Sequence, residues 1–264
     1  MALLYTSGLM GKQILISVFF LSLSILPQKS VAQDTEILIS EARHQEAAFR
    51  ENEALLKYLE VLKIQPRNTT ALCKVSELYS LLGKRQSTKE KQKAYYKAAR
   101  NYAQQALSVN ASQAEANFVM ALAMGRMAII SSGEEKINAV RGIRTYAEEC
   151  IRIDPQNYKG YHILGRWHFE VSDLSAVEKW LVKVAYGSLP PSSLKDAIFF
   201  YEKSRQLNPG LLINYLELAK CYHRSDEDKK AVEMLNILGK LPNITVDDPI
   251  VKEEANKLLK KWRE

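Results

Sequence analysis

The histidines are the side chains best suited to act as general bases or metal ligands, but their spacing favours neither role. A helical zinc site has two histidines one turn apart, with a glutamate beside the first. No two of the four histidines have that spacing; they are His44, His162, His168 and His223. We therefore expect no metal site, and we expect His168 to be a packed core residue.

A second candidate for chemistry is the pair Gly160 and Gly165, whose spacing matches the start of a phosphate-binding loop. That loop continues with Lys and then Ser or Thr, and it joins a strand to a helix. Here Arg166 and Trp167 follow instead, in a stretch that we expect to be helical. The Gly-x-Ser-x-Gly turn of serine hydrolases is also missing from the sequence. The sequence therefore predicts a protein without catalytic activity and without a cofactor.

The elements that hold these residues are indicated by a pattern that recurs along the chain at helical spacing. Its clearest copy is Tyr161, Leu164, Gly165 and His168. Three looser copies place their small residue at Ser76, Ala121 and Ala219. The pattern resembles the tetratricopeptide repeat, whose unit is a helical hairpin of about 34 residues. We expect the small residues where the two helices of a hairpin approach closely.

The repeats predict an all-α, tetratricopeptide-like solenoid, a right-handed superhelix of about five hairpins that ends in a capping helix. The predicted order is a signal peptide (1–32), a degenerate hairpin (33–68), repeats (69–246) and a capping helix (247–264). Glu41 makes the first hairpin degenerate, because it stands where an apolar residue belongs. An inserted amphipathic helix is predicted near residues 174–186, and it could cover the groove of the solenoid. We expect Asp248 to cap the last helix.

The groove residues can be predicted from the register of the repeats, because the first helix of each tetratricopeptide hairpin lines the concave side. They combine basic and apolar side chains: Phe118, Arg126, His162, Arg166, Phe169, Leu216, Lys220, His223 and Arg224. A protein or peptide segment with acidic residues or a free carboxylate would suit them, because Arg binds carboxylates through two hydrogen bonds. A carrier of phospholipid or another amphipathic anionic ligand is the alternative. A third interpretation is that these are ordinary solvated charges.

Net charge argues against nucleic acid as a partner. The chain carries +7, which becomes +7 − 2 = +5 without Lys12 and Lys29 of the predicted signal. Nucleic-acid-binding domains usually concentrate such charge on one face. The densest basic segment, residues 84–100, could touch a membrane surface or an acidic partner, although a solvated outer helix face is the simpler interpretation.

The N-terminal segment has the order of an export signal. Lys12 precedes an apolar run from Ile14 to Leu26, and Ser30, Val31 and Ala32 provide small residues before Gln33. The run is shorter than the roughly 20 residues of a membrane span. We expect an exported protein, periplasmic or secreted; the alternative is a chain anchored in a membrane by this segment. We expect its three cysteines to be buried thiols: Cys73, Cys150 and Cys221.

From about Thr70 to Trp262 the chain resembles the regulator of microtubule dynamics family of tetratricopeptide-like proteins. The resemblance rests on residues 94–107, on residues 151–167, and on the inserted helix with the Pro-Pro-Ser loop of residues 187–193. It implies a helical-repeat adaptor. Animal members are linked to microtubules and mitochondria, and some are similar to phospholipid-binding modules. Because an export signal would place this chain outside the cytoplasm, we interpret it as a bacterial-type exported relative.

Overall fold

The computed structural model describes residues 26–263, and the side chains of residues 33–262. Over this range the backbone forms twelve α-helices and no strand. The helices are α1 (Leu26–Ala47), α2 (Glu51–Ile64), α3 (Thr69–Lys84), α4 (Lys89–Val109), α5 (Ala114–Ile130), α6 (Gly133–Ile153), α7 (Tyr158–Ser172), α8 (Ala176–Tyr186), α9 (Leu194–Leu207), α10 (Leu212–Arg224), α11 (Asp228–Lys240) and α12 (Asp248–Arg263). Most of the predicted export signal lies outside the described residues, and the predicted cleavage point after Ala32 falls within α1.

The helices pair into hairpins that stack along the chain. The pairs are α1–α2, α3–α4, α5–α6, α7–α9 and α10–α11, and α12 packs on the last pair. The first helices α3, α5, α7 and α10 contact one another in order, whereas each second helix mainly contacts the first helices beside it. The first helices therefore line the inner, concave side. This arrangement confirms the predicted all-α hairpin solenoid with a capping helix.

Small residues of the repeat pattern lie where two helices of a hairpin approach closely. A Cβ atom added to Gly165 would come within 2.7 Å of the Tyr201 ring on α9. Ser76 is buried and donates a hydrogen bond from its hydroxyl to the carbonyl of Ala99 on α4, at 2.8 Å. Both positions therefore need a small side chain, for a reason of packing rather than of chemistry.

The first hairpin tolerates its charged residue because that residue lies at the edge of the hairpin. Glu41 is about half exposed and pairs with Lys57 of α2 at 2.8 Å. The buried contacts of α1 come from Ile39 and Ala42, which pack in one core cluster with Tyr58. These buried residues follow Ala32 and therefore lie beyond the predicted cleavage point.

The inserted helix α8 is not over the groove, contrary to the expectation that it could cover it. Its main contact is with α6, a second helix, on the outer side of the solenoid. Arg141 of α6 donates hydrogen bonds to the carbonyls of Tyr186 and Gly187, at 2.5 and 2.9 Å. Gly187 ends α8 with a φ of 78°, a conformation that favours glycine.

The two ends of the solenoid meet. Asp247, just before α12, accepts hydrogen bonds from Lys84 at 3.2 Å and from Arg85 at 2.9 Å, both at the end of α3. Arg85 also binds Glu51 at the start of α2. We call Glu51, Lys84, Arg85 and Asp247 the closure cluster. It brings the segment 243–247 against the first two hairpins, which makes the solenoid a nearly closed ring.

Asp248 organises this segment and does not cap α12 as predicted. Its buried carboxylate accepts hydrogen bonds from the backbone N–H groups of Ile244 and Thr245, at 2.6 and 2.7 Å. Ile244 and Val246 then line a cleft of about 320 Å³ together with residues of α1–α3. The carboxylate therefore holds the loop in the shape that the closure cluster requires.

Candidate binding groove

The basic residues predicted for the C-terminal part of the groove are already neutralised by acidic neighbours. Lys220 of α10 lies 3.2 Å from Glu217 and 2.8 Å from Glu254 of α12. His223 lies 2.6 Å from Asp228, and its ring stacks on Trp262 with 4.2 Å between centroids. The capping helix therefore covers this end of the concave face, and Lys220 and His223 are not free to bind a ligand in this conformation.

Arg224 and Phe169 contact each other. The guanidinium of Arg224 lies 4.6 Å from the centre of the Phe169 ring. It donates hydrogen bonds to the Phe169 carbonyl at 3.2 Å and to Asp173 at 2.9 Å. Arg224 therefore binds the C-terminal end of α7, a favourable place for a cation. Its predicted role as a ligand contact receives no support from this geometry.

The prediction was wrong for Leu216, and Phe118 is scarcely accessible. Leu216 is 0% exposed and belongs to the core between α9, α10 and α11. Phe118 is 6% exposed, and the ammonium of Lys159 lies 4.5 Å from the centre of its ring. The register placed both side chains on the first helices correctly, but the curvature of the solenoid buries them.

Lys159 is the centre of an ion-pair network that the sequence analysis did not single out. Its ammonium lies 3.2 Å from Glu77 of α3 and 2.7 Å from Glu115 of α5. Burial by itself would lower the pKa of Lys159, but the two carboxylates hold that pKa above its usual value. The sequence did contain a signal for this network, because groove positions of successive first helices hold residues of opposite charge. This network fills the groove beside α3, α5 and α7.

Arg126 on α5 is the groove cation that has no such partner. Its Nε is buried and has no hydrogen-bond partner among residues 26–263. Burial lowers the pKa of the Arg126 guanidinium, and the positive charge of Arg166 lowers it further. Tyr96 and Asp247 act in the opposite direction, without reversing the effect. Arg126 is partly exposed, but a buried donor without a hydrogen-bond partner on a cation is unfavourable and calls for an explanation.

Arg166 on α7 is close enough to Arg126 to repel it, and its own carboxylate partner is weakly held. Glu170, one turn along the same helix, lies 3.7 Å away, and both side chains are more than half exposed. An exposed pair of this kind contributes little. We call Arg126 and Arg166 the arginine pair. Of the four arginines and lysines predicted for the groove, which are Arg126, Arg166, Lys220 and Arg224, only this pair has no strong acidic partner among the described residues.

His162 lies on the same face as Arg166 and is held in one tautomer. Asn214 donates from its amide nitrogen to the Tyr201 carbonyl at 2.8 Å, so its side-chain oxygen faces His162 Nδ1 at 2.9 Å. The Nδ1–H of His162 is therefore the donor, which leaves Nε2 as an acceptor. Burial lowers the pKa of His162, which keeps the ring neutral near pH 7. The adjacent Tyr201 hydroxyl is buried and has no hydrogen-bond partner in the described part of the chain.

The remaining reactive groups lie in the core. His168 is 5% exposed, and burial lowers its pKa. All three cysteines are free thiols, and burial raises the pKa of each to about 12: Cys73, Cys150 and Cys221. Within residues 26–263 no three His, Cys, Asp or Glu side chains are arranged to hold a metal ion. Over the same range no helix has the length and apolar content to cross a bilayer.

One known protein family matches nearly all of the described residues. A model of the family described as regulator of microtubule dynamics protein 1–3 matches residues 38–263. The chain belongs to this family. Rat regulator of microtubule dynamics protein 3 is 23% identical over 229 residues, which are 86% of this chain and 49% of that protein. Human regulator of microtubule dynamics protein 2 is 26% identical over 174 residues, 66% of this chain and 42% of that protein. The chain thus spans about half the length of these relatives.

Solved structures show the same fold at low sequence identity. A tetratricopeptide-repeat protein of Thermus thermophilus has a TM-score of 0.64 and 12% identity, and covers 84% of this chain and 99% of its own. PilF of Pseudomonas aeruginosa has a TM-score of 0.53 and 12% identity, and covers 88% of this chain and 86% of its own. At such identities the similarity concerns architecture. It identifies the solenoid as a tetratricopeptide-like one, as the sequence predicted.

Proposed function

We propose that this regulator of microtubule dynamics family member is a non-catalytic binding scaffold. Its groove would hold a segment of a partner protein through a carboxylate bound to the arginine pair. The helical-repeat fold and the family support a protein-binding scaffold. The finer assignment rests on one observation, the buried Nε of the partly exposed Arg126, which has no hydrogen-bond partner in the described part of the chain.

A carboxylate would relieve two unfavourable interactions at once. It would give Arg126 a hydrogen-bonded counter-charge, whereas Asp247 now acts on it only from a distance, and it would lie between two cations that now repel each other. Arg–carboxylate pairs form two parallel hydrogen bonds, which are stronger than neutral ones and fix orientation. The neutral His162 and the unpartnered Tyr201 hydroxyl offer further polar contacts near Arg166.

The rest of the concave face restricts where the segment would lie. Toward the N terminus, Lys159 is already bound by Glu77 and Glu115, and these carboxylates would repel an acidic segment. Toward the C terminus, α12 covers Lys220 and His223. The segment would therefore approach the groove at α5 and α7, with its acidic group placed at the arginine pair.

The test uses the described chain and displayed random peptides, one library with acidic residues and one with a free C-terminal carboxylate. Enriched peptides are then measured by fluorescence anisotropy against R126Q, against R166Q, and against R152Q as the control. Arg152 lies on α6, is 69% exposed, and pairs with Glu149 on its own helix. We expect at least a tenfold loss of affinity for each groove variant and none for R152Q. Equal binding by all variants would refute the assignment.

The lipid-carrier alternative loses the structural support that was expected for it. A carrier was expected to have α8 closed over the groove, and α8 instead packs on α6 on the outer side. The cleft beneath residues 244–246, about 320 Å³, has one cation in its lining, Lys74, which is already paired with Glu46 and Glu77 and so is not available to an anionic head group. Native mass spectrometry with lipid extraction separates the two functions. A stoichiometric lipid lost in R166E would favour the carrier, and a bare mass would favour the scaffold.

We also propose an extracytoplasmic location, on the strength of the N-terminal sequence. A mature chain that begins at Gln33 would keep the buried α1 residues Thr35, Ile39 and Ala42. N-terminal sequencing of the protein from its own host tests the proposal. A first residue of Gln33 supports export with cleavage, whereas an intact N terminus in the membrane fraction supports anchoring.

A further inference from the structure

Helix α8 presents a large apolar surface to solvent. Its four large apolar residues are Val177, Trp180, Leu181 and Val184, and they are 66%, 61%, 53% and 66% exposed. At 100° per residue these four positions fall on one side of the helix. None of the residues of α8 is buried. Most helices of such amphipathicity turn this side toward a core, so the orientation of α8 requires a reason.

The outward orientation is fixed by the ends of the helix. Ser175 and Glu178 form a reciprocal capping box at its start. Arg141 holds the carbonyls of Tyr186 and Gly187 at its end. Val182, which points away from the apolar side, is the one large aliphatic residue of α8 that is partly buried. The helix is therefore held against α6 by its polar side, and its apolar side remains free.

The size of this surface argues against a second copy of the chain as its occupant. Four side chains expose on the order of 400 Å² of apolar area, which is comparable to the largest patches on monomeric proteins. A stable interface buries about 800 Å² on each partner. A two-fold pair of α8 helices would thus be too small by itself to hold a dimer.

The chemistry of the helix fits the surface of a lipid bilayer. Trp180 lies at one edge of the apolar side, and tryptophan favours the boundary between water and hydrocarbon. Lys183 lies beside Trp180 at that edge, and Lys179 lies one turn earlier and farther from the apolar side, where its ammonium donates a hydrogen bond to the Ser172 carbonyl at 3.3 Å. Both lysines are exposed, and their long side chains can extend to anionic head groups. A bilayer also accepts a convex helix without a complementary groove. The only acidic residue of α8, Glu178, is engaged in the capping box.

We propose that α8 docks the protein onto an anionic membrane surface, with Val177, Trp180, Leu181 and Val184 inserted at the level of the head groups. The contact is peripheral, reversible and sensitive to salt, because a single short helix inserts and two lysines supply the attraction. It is independent of the concave groove, since α8 lies on the outer side of the solenoid. A partner bound at the arginine pair would thereby be held beside a membrane.

The first experiment is co-sedimentation with vesicles of phosphatidylcholine alone or mixed with phosphatidylglycerol. The chain should bind the mixed vesicles at least tenfold more than the neutral ones. L181E/V184E should lower that binding at least tenfold, and K179Q/K183Q should abolish the preference for the mixed vesicles. The control is I250E, a similar change at a residue of α12 that is 61% exposed. Its binding should equal that of the unchanged chain.

The variants change only exposed residues, so they should fold, and circular dichroism together with peptide binding at the groove checks this. Equal sedimentation of L181E/V184E and the unchanged chain would overturn the proposal. The proposal would also be overturned if neither the unchanged chain nor L181E/V184E sedimented with the vesicles. Analytical ultracentrifugation without vesicles tests whether α8 instead binds a second copy of the chain. A dimer that L181E/V184E abolishes would assign α8 to self-association and would also overturn membrane docking.

Fluorescence locates the contact on the helix. Trp180 is 61% exposed, whereas Trp167 is buried and donates its indole N–H to the Val140 carbonyl. Subtracting the emission spectrum of W180F from that of the unchanged chain gives the emission of Trp180. This emission should shift to shorter wavelength on mixed vesicles, and brominated lipids should quench it. An unshifted, unquenched Trp180 in a chain that sediments with vesicles would show that another surface binds the lipid, which contradicts the proposal.

Discussion

At the scale of single residues, sequence specifies types and register, whereas chemical state depends on neighbours that are distant in the chain. Repeat register placed Arg126, Arg166, Lys220 and Arg224 on the first helices. It did not indicate that Glu254 and Asp173 would neutralise Lys220 and Arg224. These partners come from other helices, at positions that no local pattern specifies. The unpartnered state of Arg126 is likewise a property of the assembled groove.

The state of Arg126 leads to a prediction about stability. Replacing Arg126 with Met keeps much of the packing of the aliphatic stem and removes the buried, unpartnered Nε together with a partly buried charge. R126M should therefore be more stable by ~1–3 kcal/mol. The midpoint of urea unfolding measures this, with R152M as the exposed control, which should change little. A destabilised R126M would mean that Arg126 already has an effective partner.

The repeat glycine leads to a second prediction at this scale. Gly165→Ala gains about 1 kcal/mol of helix propensity but places a Cβ 2.7 Å from the Tyr201 ring. Overpacking of a tight core costs typically 1–3 kcal/mol, so after the gain in propensity G165A should be destabilised by up to about 2 kcal/mol. Gly125 is the matched control, because a Cβ there meets nothing within 4 Å. In thermal unfolding, G125A should be as stable as the unchanged chain or more so.

At the scale of elements, helical periodicity carries nearly all of the information, and it predicted the hairpins and the inserted helix near residues 174–186. Periodicity could not predict the position of α8, because that position depends on hydrogen bonds from Arg141 to three carbonyls at the C-terminal end of the helix. An amphipathic pattern predicts that a helix has an apolar side, without indicating what covers it. The contacts between first helices are set in the same non-local way, by Lys159 bridging Glu77 and Glu115.

The Lys159 bridge predicts a dependence of stability on pH. Burial would raise the pKa of Glu77, but Lys159 and Lys74 lower it below its usual value. Stability from this carboxylate is thus present above the pKa of the unfolded chain and is lost as pH falls through the lower folded pKa. Lys159→Gln leaves two carboxylates near each other without their shared cation, which should cost about 3 kcal/mol near pH 7.

The two chains should also differ in the pH at which stability is lost. In K159Q the pKa of Glu77 rises, so protonation at mildly acidic pH should restore part of the lost stability. Urea unfolding from pH 7 to pH 4 should therefore show a difference between the chains that narrows as pH falls. K257Q, which removes an exposed pair with Glu253, is the control. A pH-independent difference would show that Lys159 acts by packing alone.

At the scale of the whole molecule, the closure cluster converts a string of hairpins into a nearly closed ring. Repeat proteins are normally stabilised by neighbouring units alone. Here Asp247 binds Lys84 and Arg85 across 163 and 162 residues, so the last units also support the first. No repeat pattern predicts this contact, because it depends on the accumulated curvature of five hairpins. The same contact places the 243–247 segment against the inner side of α1–α3.

Asp247→Asn tests whether this closure holds the ring together. The carboxylate is 17% exposed and its pKa is lowered by Arg85 and Lys84, in spite of burial. Its neutralisation should cost about 1–2 kcal/mol, less in high salt, because charge-assisted hydrogen bonds are lost at a partly screened site. Hydrogen exchange should accelerate together in residues 243–247 and 51–85, which are distant in sequence. Glu253→Gln breaks an exposed pair within α12 and should change neither region. Acceleration confined to residues 243–247 would show that the loop opens alone and that the first hairpins are stable without it.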